Sequence, residues 1–162
     1  WSSDVCSSDL FWMMGGFSGR NWLHVLSMLP WLAAGGAVIF WHARDLDALS
    51  LGEEQAHYMG VNVEKAKGRL LAAAALLAAA AVSVSGLIGF VGLVVPHAMR
   101  LLGGPSHRWL LPASALAGAV FMVASDLLAR VALAPVELPV GLVTALVGGP
   151  FFLYLLKKRK VT

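Results

Sequence analysis

The sequence predicts an all-α integral membrane protein, a polytopic bundle of apolar helices, and three observations carry that prediction. Of its 162 residues 59% are hydrophobic and only 13% charged, with a mean hydropathy of +0.76; a soluble domain needs far more polar surface to cover its core. Four stretches, 22–41, 70–99, 109–125 and 139–156, contain no Asp, Glu, Lys or Arg. Each is at or near the roughly 20 helical residues that cross a bilayer core of about 30 Å. The basic residues stand in short clusters beside these stretches, a placement that fits membrane orientation rather than nucleic-acid binding, although the net charge is +3.

Residues 1–10, WSSDVCSSDL, repeat Ser-Ser-Asp and share no composition with the rest of the chain. They lack the basic and apolar regions of a signal peptide, and are expected to be a non-native extension. The single cysteine, Cys6, excludes an internal disulfide framework and a cysteine metal cage.

The stretch 22–41 is predicted to be the first crossing. The stretch 70–99 is too long for one helix, and its composition changes after Val82 from Ala and Leu to GLIGFVGLVVP. It is therefore predicted to be one full helix at 66–86 and a short one at 91–102, separated by a break. Further crossings are expected at 108–131 and 139–156, five in all. With the chain starting outside near Gly19, Arg44, Lys65, Lys67, Arg69, Arg100, Arg108, Lys157, Lys158, Arg159 and Lys160 fall inside, and only Arg20 and Arg130 outside. Because Lys and Arg near span ends resist translocation, the C-terminus is predicted to be cytoplasmic.

The longest polar insert, about 42–65, then lies in the cytoplasm, and its LSLGEEQAHYMG segment predicts two short surface helices separated by a turn. Within the spans, Pro96 falls where the Gly-rich break becomes the short helix and removes a backbone donor there. Gly141, Ala145 and Gly149 recur every four residues and permit close helix approach. Asp126 and Arg130 stand four apart, acid first, and pair on one helix face. Glu53, Glu54 and His57 have helical spacing without a further Cys or His to make a metal site. The sequence has no phosphate-binding G-x-x-x-x-G-K-[ST] loop and no recognisable catalytic set, so neither an enzymatic role nor a cofactor is expected.

Four segments in order, FWMMGGFSGRNW at 11–22, LDALSLGEEQAHYMGVNV at 46–63, SGLIGFVGLVVPHAMRLLGGPSHRWLLPASALAG at 85–118 and SDLLARVALAPVELPVGLVTALVGGPFFLYLL at 125–156, closely resemble the FecCD family of permeases. That family includes vitamin B12, iron-siderophore and haem permeases. The resemblance covers 11–162 and implies the C-terminal half of a type II ABC importer permease, about five of ten transmembrane helices. It implies a dimer in the bacterial inner membrane, working with two cytoplasmic ATP-binding subunits and a periplasmic substrate-binding protein.

By the same resemblance, Leu51, Gly52, Glu53, Ala56 and Gly60 belong to the helices that couple to the ATPase. Arg130 matches a position that meets an acidic residue of the binding protein, and the last helix, with Gly141, Ala145 and Gly149, lines the pathway. The substrate is expected to be an iron chelate, either siderophore or haem, or cobalamin, toward which WMMGGF leans slightly. Two other classes compete. An ion-coupled secondary transporter or channel predicts ionisable residues at the bilayer midplane. An intramembrane enzyme predicts a polar catalytic set there. The spans offer neither.

Overall fold

A computed structural model describes residues 15–17, 19–132 and 138–159. Residues 1–10 and Glu137 of the ELP run lie outside the described residues. Among the described residues seven helices occur in order: α1 (Trp22–Trp41), α2 (Ala43–Ser50), α3 (Glu53–Tyr58), α4 (Val63–Ser85), α5 (Val91–Gly103), α6 (His107–Val131) and α7 (Val140–Arg159). The predicted crossings correspond to α1, α4, α5, α6 and α7, and the predicted polar insert contains α2 and α3, with its last residues already in α4.

Among the described residues three helices, α1, α4 and α6, are long and apolar enough to cross a membrane. The 20 residues of α1 rise about 30 Å, the thickness of a hydrocarbon core. Its ends carry Trp22 and Trp41, 80% and 86% exposed, where aromatic rings favour the membrane interface. The side chain of Asn62 starts α4 by accepting the Lys65 N–H at 3.2 Å, and Glu64 in the first turn complements the positive helix end. An alanine-rich interior carries α4 on to Ser85.

With 13 residues, α5 rises only about 20 Å and does not span alone. Before it, residues 86–90 leave the helix and add reach at about 3.3 Å per extended residue. The break at 86–90 thus falls within a residue of the predicted one, and α5 starts at Val91 as predicted. Pro96 lies inside α5 rather than at its start, where it leaves the Gly92 carbonyl without its usual helical donor.

The helices pack in pairs, α1 on α4 and α5 on α6, with α7 against both α5 and α6. Small residues set the first contact: a Cβ on Gly35 of α1 would stand 2.8 Å from Leu77 Cγ and 3.3 Å from the Ala73 carbonyl of α4. That leaves no room for a side chain between the two backbones. Around Gly36 nothing lies within 4 Å.

One end of the bundle gathers α2, α3 and the α5–α6 connection, through Asp47 and His107. At the other end Gly16 N–H donates to the Ser85 carbonyl at 2.8 Å, Leu138 N–H to Ala129 at 3.4 Å, and Gly141 N–H to Gly15 at 3.5 Å. The two polar connections that the charge pattern assigned to one membrane face thus lie together.

In the protein extracted in detergent, Gly35→Leu is expected to cost about 1–3 kcal/mol by overpacking and to lower the unfolding midpoint. Gly36→Leu is expected to change it much less; equal midpoints for the two variants would contradict the packing described.

Candidate functional site

The loop between α1 and α4 is built to hold a fixed shape. Ala43 and Ala48 of α2 are buried, and Ala56 of α3 is wholly so. Gly52 precedes α3 with φ 115° and ψ 150°, a conformation essentially restricted to glycine. The α3 helix ends in a Schellman motif: Val61 N–H donates to the Ala56 carbonyl at 3.0 Å and Gly60 N–H to His57 at 2.9 Å. Gly60 itself is left-handed, with φ +85°. A Cβ at either glycine would meet no neighbour, so the demand for glycine comes from the backbone alone.

The face that this frame presents outward is apolar. Leu51, Tyr58 and Met59 are 60%, 81% and 64% exposed on a loop outside the spanning helices, where an uncovered apolar cluster marks a contact surface. Of the predicted coupling residues, Leu51 lies on this surface and Gly52 and Gly60 shape it. Ala56 offers nothing to a partner and acts as its internal support. Glu53 ion-pairs with Lys67 of α4, an exposed tie between loop and helix.

A second attachment lies on α2. Asp47 Oδ1 accepts both the backbone N–H of His107 at 2.8 Å and its ring Nδ1–H at 2.6 Å. His107 is the first residue of α6, and Ser106 before it makes no side-chain cap bond. The Asp47 carboxylate therefore caps α6 from another helix, where the helix dipole favours negative charge. Partial desolvation raises the Asp47 pKa, but the backbone and ring hydrogen bonds from His107, with help from Ser106, outweigh it and leave the group below its usual value. Arg100 Nη2 stands 3.4 Å from the other ring nitrogen of His107.

In α7 the packed stripe is Val140, Thr144 and Gly148, the first two 2% and 0% exposed. Gly141, Ala145 and Gly149 lie one position round the helix and are half-exposed. Two period-four stripes exist side by side, and a neighbour chooses between them. A Cβ on Gly148 would overlap the Phe90 side chain, while buried Thr144 satisfies its hydroxyl by donating to the Gly141 carbonyl at 3.0 Å. Phe90, at the start of α5, takes a left-handed φ of +67°, unusual for an aromatic residue. His97, next to Pro96, meets Phe151 of α7 edge-on, ring centres 5.9 Å apart. At the opposite end Arg130 Nε donates to Asp126 at 2.8 Å, and the Arg130 side chain is 46% exposed.

Sequence reasoning does not single out Asp47, His107 or Phe90. For His107 a signal exists, since GGPSH opens a helix without an acidic residue in its first turn. For Asp47 and Phe90 the partners are remote in sequence.

The FecCD transport family matches residues 2–158. The cobalamin import system permease protein of Halobacterium salinarum is 52% identical over 152 residues, covering 94% of this chain and 41% of that protein. The hemin transport system permease protein of Yersinia pestis is 48% identical, with 92% and 45% covered. The Fe(3+)-citrate import system permease protein of Bacillus subtilis is 43% identical, with 93% and 45% covered. The chain thus spans less than half the length of these relatives. An inward-facing metal-chelate type ABC transporter superposes with a TM-score of 0.86 at 35% identity, covering 98% of this chain and 52% of its own.

The loop geometry makes two outcomes testable. Gly60→Val places a β-branched residue in a left-handed position at a cost of order 1–3 kcal/mol, so limited proteolysis of the membrane-embedded protein should cut the 51–62 segment faster than in wild type. Asp47 ionises more readily folded than unfolded, so its contribution is complete above its ordinary pKa of 3.8 and is lost as pH falls through the lowered folded value. Wild type should exceed Asp47→Ala in unfolding midpoint at neutral pH, and the gap should narrow only in strong acid.

Proposed function

The chain belongs to the FecCD transport family, and from that premise we propose that it is the C-terminal half of an ABC-importer permease subunit. The subunit passes a large metal-centred chelate, either cobalamin or an iron complex such as a siderophore or haem, across the bacterial inner membrane. ATP is hydrolysed on separate cytoplasmic subunits.

The observation that carries this reading is the loop surface. Leu51, Tyr58 and Met59 are exposed on a pair of short helices stiffened by Gly52 and Gly60 and tied to α4. A partner that changes shape on binding ATP can move the spans only through a contact that does not itself deform, and this loop meets that requirement. The expected topology, with ten basic residues in the segments on the loop side against two on the other, favours a cytoplasmic position for it and for the C-terminus.

At the far end, Asp126 holds Arg130 in place on a side chain that is half exposed, suited to a carboxylate on a periplasmic binding protein. Pairing with a second permease subunit completes the pathway, which α7 lines. The three relatives import cobalamin, hemin and Fe(3+)-citrate; the shared class is a chelated metal, which supports the substrate proposed.

In intact permease co-expressed with its ATPase, Leu51→Glu should cut ATPase co-purification by about tenfold, since it buries an unpaired charge in the contact, with membrane insertion unchanged. Substrate uptake that persists when ATP hydrolysis is blocked would overturn the ABC reading. Arg130→Glu should weaken stimulation by the binding protein and shift its half-maximal concentration upward; unchanged docking in a correctly inserted variant sinks that role.

A further inference from the structure

Asp47, His107 and Arg100 form a continuous line of polar contacts across three elements, α2, α6 and α5. Covalently, α2 joins α1 directly through His42 and reaches α4 only by way of α3. Beyond these chain neighbours α2 packs against α6, and Ala43 and Ala48, the buried apolar residues of α2, offer only small side chains to that contact. The hold that resists sliding is Asp47, one of whose oxygens takes two hydrogen bonds from His107, at 2.8 and 2.6 Å.

The His107 ring is fixed from its other side. An arginine guanidinium only donates hydrogen bonds, so the Nε2 that faces Arg100 Nη2 at 3.4 Å carries the lone pair and Nδ1 carries the proton given to Asp47. With both nitrogens engaged, the ring has one orientation. Arg100 lies in the last turn of α5, and the opposite end of α5 bears Phe90, packed against Gly148 of α7. The line thus continues from the loop through α5 to α7. The other tie of the loop, Glu53 to Lys67, is 67% and 43% exposed, a setting in which an ion pair holds weakly.

We propose that Asp47–His107–Arg100 is the strut through which displacement of the loop reaches α5 and α6, making these three positioning residues for coupled transport. The strut rests on the proposed permease function. It makes α2, rather than the exposed α3 tie, the element that transmits force.

The test is the intact transporter in proteoliposomes with its ATPase and binding protein, scored for substrate moved per ATP hydrolysed. For His107→Ala we expect ATPase subunits to co-purify at the wild-type level and hydrolysis to continue, while substrate per ATP falls about fivefold or more; for Arg100→Met we expect about a twofold loss. His107→Asn, whose amide nitrogen replaces Nδ1, should recover a large part of the His107→Ala deficit.

Wild-type substrate per ATP in His107→Ala overturns the strut, and so does loss of ATPase assembly in that variant, which would assign these residues to the docking surface. A deficit that His107→Asn leaves untouched marks simple packing and also overturns it. If His107→Ala fails to accumulate, Arg100→Met decides, because Arg100 is exposed and its loss leaves the cap on α6 intact. An unmodified transporter that moves substrate without hydrolysing ATP refutes the permease reading instead, and is recognised before any variant is scored.

Discussion

A backbone that leaves the helix within a membrane must still find partners for its N–H and C=O groups, because hydrocarbon supplies none. The segment 86–90 sets this condition for the whole chain. Gly86 N–H returns to the Val82 carbonyl at 2.9 Å, and the Ser85 carbonyl is taken by Gly16 N–H at 2.8 Å. The Ser85 hydroxyl donates back to Ala81 at 2.9 Å. On the far side, the Phe90 carbonyl accepts from Leu93 and Val94 at 3.0 and 2.9 Å and so starts α5. Residues 15–16 are thereby drawn into the bundle, and Gly15 in turn receives the N–H of Gly141. The break between α4 and α5 thus fixes the start of the described chain and the start of α7 together.

The remaining packing is economical in side chains. Few residues of the spanning helices are buried within the chain: Gly35 in α1, Ala66 and Ala73 in α4, and Leu110, Ser125 and Ala129 in α6. Most of the large apolar side chains point outward, as expected where lipid and further helices, rather than water, surround a bundle. The polar bonds are correspondingly concentrated at the two ends. The rigid parts are therefore the loop at one end and the 15–16, 85–87 and 138–141 cluster at the other, connected by helices that touch through small residues.

Legibility from sequence tracks the physics of each signal. Spans are readable because charge exclusion over about 20 residues is a one-dimensional property, and α1, α4 and α6 come within a few residues of their predicted limits. The two loop helices are readable from Gly52 and Gly60, whose backbone demand is local. The stripe on α7 is readable as a period but not as a face, since 140/144/148 and 141/145/149 differ only in which one meets Phe90. The short helix is also readable, since the Gly-rich run after Val82 marks the break and α5 starts at Val91 as predicted, with Pro96 one turn inside it. The Asp47–His107 cap links residues 60 apart, and no local pattern announces it.

The tryptophans that bracket α1 have a consequence for the loop beyond it. Rings at both ends of a helix whose apolar length matches the bilayer hold it against vertical drift, and a single residue, His42, separates Trp41 from α2. His42 is itself fastened, its ring donating to the Val38 carbonyl at 2.9 Å. The loop consequently rides at a set height above the lipid headgroups, and bilayer thickness becomes a variable of the machine. In a thinner bilayer, hydrophobic mismatch would be met first by tilting α1, and that tilt would alter the height at which the loop presents Leu51.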